Sequence, residues 1–226
     1  MRHLAVAVER PGQASKNVAL SIEQVLIAGY TGRNRQKVME HIEELRLLGV
    51  APPARIPTIF VVPPAVMTTE PRVVVSGPRT SGEAEFCLFV HQGRVLVGVG
   101  SDHTDREHET VDVTESKAMC PKPISSTVWD LADLQDHWDT LQLRSFMTDE
   151  RGRRVYQEGR VDSMMAVPDL LIALQDAGYS DLEDRLIFGG TLPTAEGFVF
   201  GTRFEAELRD PVLDRTLTLV YDVVVP

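Results

Sequence analysis

The stretch Glu83-Ala84-Glu85-Phe86-Cys87-Leu88-Phe89-Val90-His91-Gln92-Gly93-Arg94-Val95-Leu96-Val97-Gly98-Val99-Gly100-Ser101-Asp102 decides how this chain folds. Two apolar runs of strand length flank Gln92-Gly93, a two-residue connection of the kind that closes a hairpin. Residues 83–91 and 94–100 are therefore expected as adjacent antiparallel strands. Glu83 and Glu85 stand two apart at the start of the first strand, so their side chains share a face, with α-carbons roughly 6.5–7 Å apart. Where the second strand ends an acidic string begins: Ser101-Asp102-His103-Thr104-Asp105-Arg106-Glu107-His108-Glu109. That density of carboxylates repels itself unless something positive neutralises it.

A hard divalent cation is the natural candidate. Glu83 and Glu85 can chelate one ion together, and Asp102, at the end of the neighbouring strand, can supply a third oxygen. An all-oxygen set suits Mg²⁺, Mn²⁺ or Ca²⁺ rather than zinc. Taken alone, E-x-E also fits a half-exposed strand with both carboxylates in solvent; the acidic string shifts the reading towards a metal. His103 and His108 do not have the spacing of a helix-borne zinc pair and read as hydrogen-bonding, proton-transfer or exposed residues.

Outward from the hairpin, further strand-length runs occur at 25–28, 58–62, 72–75, 185–188 and 217–221, most with turn formers close by. A helix is expected from about Asn34 to Leu48, with Val38, Ile42, Leu45 and Leu48 on one stripe and Gly49 as its stop. A second is expected from near Pro168 to Gly178, and a third over Trp129–Leu134. Strands dominate without regular βα alternation, which predicts an α+β, mostly β fold, a mixed β-sandwich or roll with peripheral helices. Ala51-Pro52-Pro53-Ala54 divides an N-terminal arm with a lid-helix region, residues 1–56, from a metal-binding body, 57–226.

The 226 residues are 43% hydrophobic and 25% charged, an ordinary globular mixture. The formal net charge of -10, with Arg151-Gly152-Arg153-Arg154 as the one basic cluster, argues against nucleic acid and anionic membranes as partners. Cys87 and Cys120 lack CxxC spacing and read as inert thiols in a reducing compartment. The apolar run at residues 1–9 is too short for a signal peptide, and no stretch has membrane-spanning length, so a cytoplasmic protein is expected.

The motifs, taken in order, resemble the fumarylacetoacetate hydrolase superfamily in its small acylpyruvase and oxaloacetate-decarboxylase-like form. More narrowly, the chain resembles a bacterial branch, domain of unknown function 2848, that carries S-G-E-x-E and S-D-H-T-D-R. Gly32-Arg33-Asn34 resembles the G-[KR]-N-Y entry motif, and 57–63 resembles P-x-x-F-x-K-P. Glu83-Ala84-Glu85 resembles the metal pair, and 102–106 resembles D-x-T-x-R. Ser116-Lys117 resembles the site of the catalytic lysine, residues 157–174 the stretch before the late helix, and 185–191 the D-x-I-x-T-G-T-P substrate loop.

The resemblance implies the family's mixed β-sandwich roll, a homodimer, and Mg²⁺ or Mn²⁺ held by Glu83, Glu85 and Asp102. It implies an enzyme for a small 2-oxo or 1,3-dicarbonyl acid working through a metal-bound enolate, by C–C hydrolysis or by decarboxylation or tautomerisation. Lys117 would stabilise an oxyanion or the substrate carboxylate. Arg106 and Thr104 would support the substrate side, and Gly190 and Thr191 would donate to the carboxylate. His41 and Glu44 match a His-x-x-Glu lid pair that activates water, or else a core-edge histidine with a solvated glutamate. Glu109 stands where relatives often carry glutamine. Other departures are Val62 for the lysine of F-x-K-P, Leu192 inserted in the substrate loop, and Lys122 as a rival to Lys117. The chain also has no nucleophile elbow for Ser81, Ser101 or Cys120 with His103, and nothing in it shows a depressed pKa for a Schiff base at Lys117. A non-catalytic small-molecule-binding protein on the same fold is the competing class.

Overall fold

The computed structural model describes residues 1–47 and 52–226, apart from the side chains at positions 41 and 45. In chain order the elements are β1 (Arg2–Glu9), β2 (Lys16–Ile22), β3 (Gln24–Gly29), α1 (Arg35–Leu47), β4 (Thr58–Val62), β5 (Met67–Thr68), β6 (Arg72–Val74), β7 (Thr80–Ser81) and β8 (Ala84–His91). There follow β9 (Arg94–Ser101), β10 (Thr104–Asp105), α2 (Val113–Ala118), β11 (Lys122–Pro123), β12 (Thr127–Asp130), β13 (Gln142–Asp149) and β14 (Gly152–Arg160). The chain closes with α3 (Val167–Asp176), β15 (Arg185–Thr191), β16 (Arg203–Asp210) and β17 (Arg215–Val224).

An eight-stranded sheet, ordered β2-β1-β12-β9-β8-β15-β3-β4, packs on a five-stranded sheet, β14-β13-β16-β17-β6. The hairpin β8–β9 lies at the middle of the larger sheet. Its turn residues Gln92 and Gly93 both take the left-handed conformation, φ 51° and 69°, which matches the twist of the flanking strands. β8 is buried on both faces, which is why it reads as a continuous apolar run rather than an alternation. Phe86 and Leu88 enter the core between the sheets with Met147, Phe204 and Tyr221. Cys87 and Phe89 face a second core with Ile27, Val62 and Phe188, in the hollow of the curled larger sheet. By the same period of two, Glu85 belongs to the hollow side. The architecture is an α+β, mostly β sandwich with a curled half-barrel sheet and peripheral helices.

Segment 1–56, read above as an arm with a lid helix, supplies β1, β2 and β3 to the larger sheet. The first and second helices occur at Arg35–Leu47 and Val167–Asp176; Leu48 and Gly49 lie outside the described residues. The helix expected over Trp129–Leu134 is instead the strand Thr127–Asp130 followed by a single 3₁₀ turn. Trp129 pairs with Val97 in the ladder and is fully buried, and the Asp130 carboxylate caps the turn by accepting from the Ala132 N–H. Tertiary burial of that tryptophan overrides a weak local helical pattern. Among the described residues no helix is long and apolar enough to cross a membrane.

Candidate functional site

The backbone brings the hairpin's open end and the acidic string together. Ala84 pairs with Ser101 and Glu85 with Gly100, and beyond the ladder the Asp102 N–H donates to the Glu83 carbonyl at 2.9 Å. β7 and β10 then pair Ser81 with Thr104. Glu83 and Asp102 are thus tied by the main chain, with Glu85 one pleat further in.

Burial makes each charge here consequential. Asp102 is fully buried between two lysines, accepting from Lys117 Nζ and lying 3.2 Å from Lys122 Nζ. Burial alone would push its carboxyl up, but Lys117 and Lys122 outweigh it and hold the group down at about 2. Lys117 reaches Asp102 from α2, whose N-cap is the Asp112 carboxylate. Burial opposes the Lys117 ammonium, yet Asp102, Glu83 and Glu109 keep it above the usual lysine range. Lys122 donates to the carbonyls of His103, Lys117 and Cys120, and burial, foremost, pulls it below that range.

Glu85 differs from the others. Among the described residues no cation lies at salt-bridge distance from it, and its Oε2 accepts one main-chain bond, from the Gly190 N–H at 2.7 Å. Burial, reinforced by Asp102, pushes its carboxyl well above the ordinary range. The Gly190 donor is aimed by a bulge: Phe188 pairs with Cys87 and Thr191 with Glu85, so three residues of β15 span two of β8.

Arg106 ties the rim together. Its guanidinium donates to Ser81 Oγ at 2.8 Å and Glu109 Oε2 at 3.0 Å, and lies 3.3 Å from Glu83 Oε2. Burial works against the charged form, but Glu83 and Glu109 raise its pKa further. Thr104 supports Asp102, its hydroxyl donating to that residue's carbonyl at 3.1 Å and carboxylate at 3.4 Å. The donors assigned to a substrate carboxylate are engaged within the protein: Gly190 with Glu85, and the Thr191 hydroxyl with the Ala84 carbonyl at 2.8 Å.

His103 bonds Tyr221 and Thr80 in the core, where burial foremost, with Lys122 and Arg106, lowers it to about 3. It is a neutral structural residue. His108 bonds Glu115 at 3.0 Å near the surface. On α1, Glu44 is exposed, while the His41 side chain lies outside the described residues. Gly32 and Arg33 of the entry motif bind the fold, Arg33 pairing with Asp139 and donating to the Met164 carbonyl.

Three features had no motif to announce them. Tyr30 takes φ 60°, and its half-buried ring has a pKa raised by burial foremost and by Glu109. Phe198 lies on the Arg106 guanidinium, 4.2 Å from ring centroid to carbon. Finally, among the described residues, the His, Cys, Asp or Glu trio whose ligand atoms all lie within 4.8 Å of one another is His91, Glu183 and Asp184. This candidate metal trio sits at the opposite end of β8 from Glu85. Glu183 also anchors the hairpin turn there, accepting from the N–H groups of Gln92 and Gly93. Glu83, Glu85 and Asp102 are more widely spread in this arrangement, with Asp102 drawn onto its lysines.

Residues 28–221 match the model of a family described as a protein of unknown function, DUF2848. No curated protein matches the sequence. Among solved structures, a fumarylpyruvate hydrolase candidate from Burkholderia cenocepacia is similar at 16% identity and a TM-score of 0.65, over 98% of this chain and 91% of that one. A fumarylacetoacetate isomerase/hydrolase candidate from Oleispira antarctica is similar at 18% identity and a TM-score of 0.61, over 98% and 99%. A 2-keto-3-deoxy-D-arabinonate dehydratase, complexed with magnesium and 2,5-dioxopentanoate, is similar at 16% identity and a TM-score of 0.59, over 96% and 79%. At these identities the likeness is one of fold, that of the fumarylacetoacetate hydrolase superfamily.

Proposed function

The chain belongs to the DUF2848 family, and on that premise we propose that it is a Mg²⁺- or Mn²⁺-dependent enzyme that hydrolyses a C–C bond in a small 2-oxo or 1,3-dicarbonyl acid. The observation that carries this reading is the charge of the cluster. Four carboxylates, Glu83, Glu85, Asp102 and Glu109, meet three cations, Arg106, Lys117 and Lys122, and among the described residues no cation lies at salt-bridge distance from the buried Glu85. A carboxylate so placed either takes up a proton or finds a positive partner. The donor set is anionic and all-oxygen, which fits a hard divalent ion. Glu83, Glu85 and Asp102 are its proposed ligands. With that ion the formal charge of the cluster passes from one negative to one positive, which the carboxylate of an oxo acid then neutralises. A cation there supplies Lewis-acid polarisation of the substrate carbonyl.

The chain's own residues divide the remaining work. Lys117, held protonated by Asp102, Glu83 and Glu109, is a fixed positive charge for the oxygen that becomes negative, not a base. Glu109, held by Arg106, is the proposed acceptor of the proton from water, with His41 and Glu44 of α1 as a proton-transfer pair. The water oxygen adds to the distal carbonyl carbon and the C–C bond breaks. The electron pair stays on the 2-oxo acid fragment as an enolate, which a returning proton quenches. Thr104 and Gly190 act through the ligands they hold, Asp102 and Glu85, and Thr191 through the backbone of β8. A homodimer belongs to this proposal.

The test is turnover of acylpyruvates and oxaloacetate by the purified protein with Mn²⁺, before and after chelation. Loss of acylpyruvate cleavage on chelation, restored by Mn²⁺, is expected. Full activity after chelation would overturn the metal reading. Oxaloacetate consumption without acylpyruvate cleavage would favour a decarboxylase passing through the same enolate.

A further inference from the structure

We infer that the cavity between β5, β6 and the chain leaving α2 binds a small amphiphilic anion: a carboxylate or phosphate head, held by Arg2 and Arg72, on a short apolar tail. Neither arginine belongs to the cluster around Asp102, so the inference is independent of the oxo-acid reading.

The first observation is charge. The chain has 33 acidic and 23 basic side chains, and arginines on the sheet that contains β6 meet carboxylates: Arg144 with Glu158, Arg153 with Glu205 and Arg203 with Asp222. Arg2, at the start of β1, and Arg72, at the start of β6, both line a cavity of about 380 Å³, and among the described residues no Asp or Glu lines it. Arg2 donates to the Ala65 carbonyl at 2.8 Å, and neither arginine has a carboxylate partner among the described residues. Asp222, opposite Arg72 in the ladder, is taken by Arg203 at 2.9 Å. One exposed arginine without a partner is ordinary. Two that line one cavity without an acid offer planar forks of donors, the shape that suits a carboxylate or phosphate. The net charge of -10 does not cancel their attraction, because salt confines the reach of distant charges to about 8 Å.

The second observation is the wall. Val66, Met67, Val73 and Met119 line the same cavity. Met67 and Val73 are buried and fixed by their ladders, Met67 opposite Lys122 and Val73 opposite Val223. Met119 stays 45% exposed, and its unbranched side chain can settle over a tail of varied shape. Apolar walls with two charged donors and no acid match an amphiphile better than a bare inorganic ion. The volume lies at the low end of the roughly 300–1,000 Å³ of small-molecule sites, which suits a small ligand rather than a docked chain.

The experiment is calorimetric titration of the full chain with octanoate, octyl phosphate, octanol, acetate and inorganic phosphate. Octanoate or octyl phosphate is expected to bind one per chain, and whichever binds tighter assigns the head. Octanol, which lacks the charge, and acetate and phosphate, which lack the tail, should each bind at least about tenfold more weakly. Arg2→Gln and Arg72→Gln should each weaken the tailed anion about tenfold, while Arg151→Gln, an exposed arginine outside the cavity, should change nothing. Met119→Glu, which sets a carboxylate against the arginines from an exposed position, should abolish binding with the thermal midpoint retained. Affinity for the tailed anions that is unmoved by both arginine variants overturns the inference. So does octanol binding as tightly as octanoate, acetate or phosphate binding as tightly as its tailed counterpart, or no binding of either tailed anion.

Discussion

The main-chain N–H of Gly190 donates to Oε2 of the buried Glu85 at 2.7 Å, and it can do so because the β15 bulge turns Gly190 to φ 112°. A Cβ at this position would lie 1.8 Å from Thr31 Oγ1. Gly190→Ala should therefore cost at least about 1–3 kcal/mol from the backbone alone, before the collision is counted. Urea unfolding reads the loss; a variant as stable as wild type would show that the bulge is not under this constraint.

Asp102 and its two lysines form the most deeply buried charge set at the site. Asp102→Asn leaves two buried ammonium groups without their carboxylate and should destabilise by about 3–5 kcal/mol. Lys117→Met should cost less, because Lys122 still pairs with Asp102. Equal costs in urea unfolding would argue that Lys122 does not share the charge.

Arg106 contacts Ser81, Glu83 and Glu109 through different nitrogens of one planar group and lies under Phe198. An ammonium cannot reproduce that fork. Arg106→Lys should lower Mn²⁺ affinity or turnover about 10–100-fold through misplacement of Glu83 and Glu109, with the fold retained. Unchanged affinity and turnover would remove Arg106 from the site.

Asp210, buried away from the site, provides a pH test. Burial pushes its carboxyl up, but the Leu213 N–H, His137 and Arg215 outweigh it and hold the group below 3.8. A carboxyl depressed on folding stabilises fully above its ordinary value, and that contribution disappears as the pH falls through the lower folded value. Asp210→Asn should cost about 1.5–3 kcal/mol at pH 7 and progressively less below about pH 4. A cost that stays constant down to pH 3 would contradict the assignment.

How much of this was legible in the sequence depends on how local each signal is. The β8–β9 hairpin is written in adjacent residues, since Gln92-Gly93 takes the left-handed pair that its turn requires. The carboxylates of Glu83, Glu85 and Asp102 could be brought near one another from that hairpin alone. Lys117 is different: α2 has only six residues and no apolar stripe to announce it, and its N-cap Asp112 stands between Val111 and Val113 without a longer periodic pattern to mark a helix start. Trp129 reads locally as helical but lies in a strand, because its burial against the second sheet is a tertiary fact. Gly190 looked like a substrate donor, whereas the bulge that gives its N–H to Glu85 depends on β15 lying beside β8. The His91, Glu183 and Asp184 trio depends on that same long-range pairing.

Calorimetric titration of Mn²⁺ into the wild type, Glu85→Gln and His91→Ala compares the two ends of β8 directly. Glutamine keeps an oxygen for the Gly190 N–H while removing the charge, so the fold should persist. If Glu83, Glu85 and Asp102 hold the catalytic ion, Glu85→Gln loses both stoichiometric Mn²⁺ binding and oxo-acid turnover, and His91→Ala keeps both. Mn²⁺ binding and turnover that survive in Glu85→Gln and vanish in His91→Ala would contradict it.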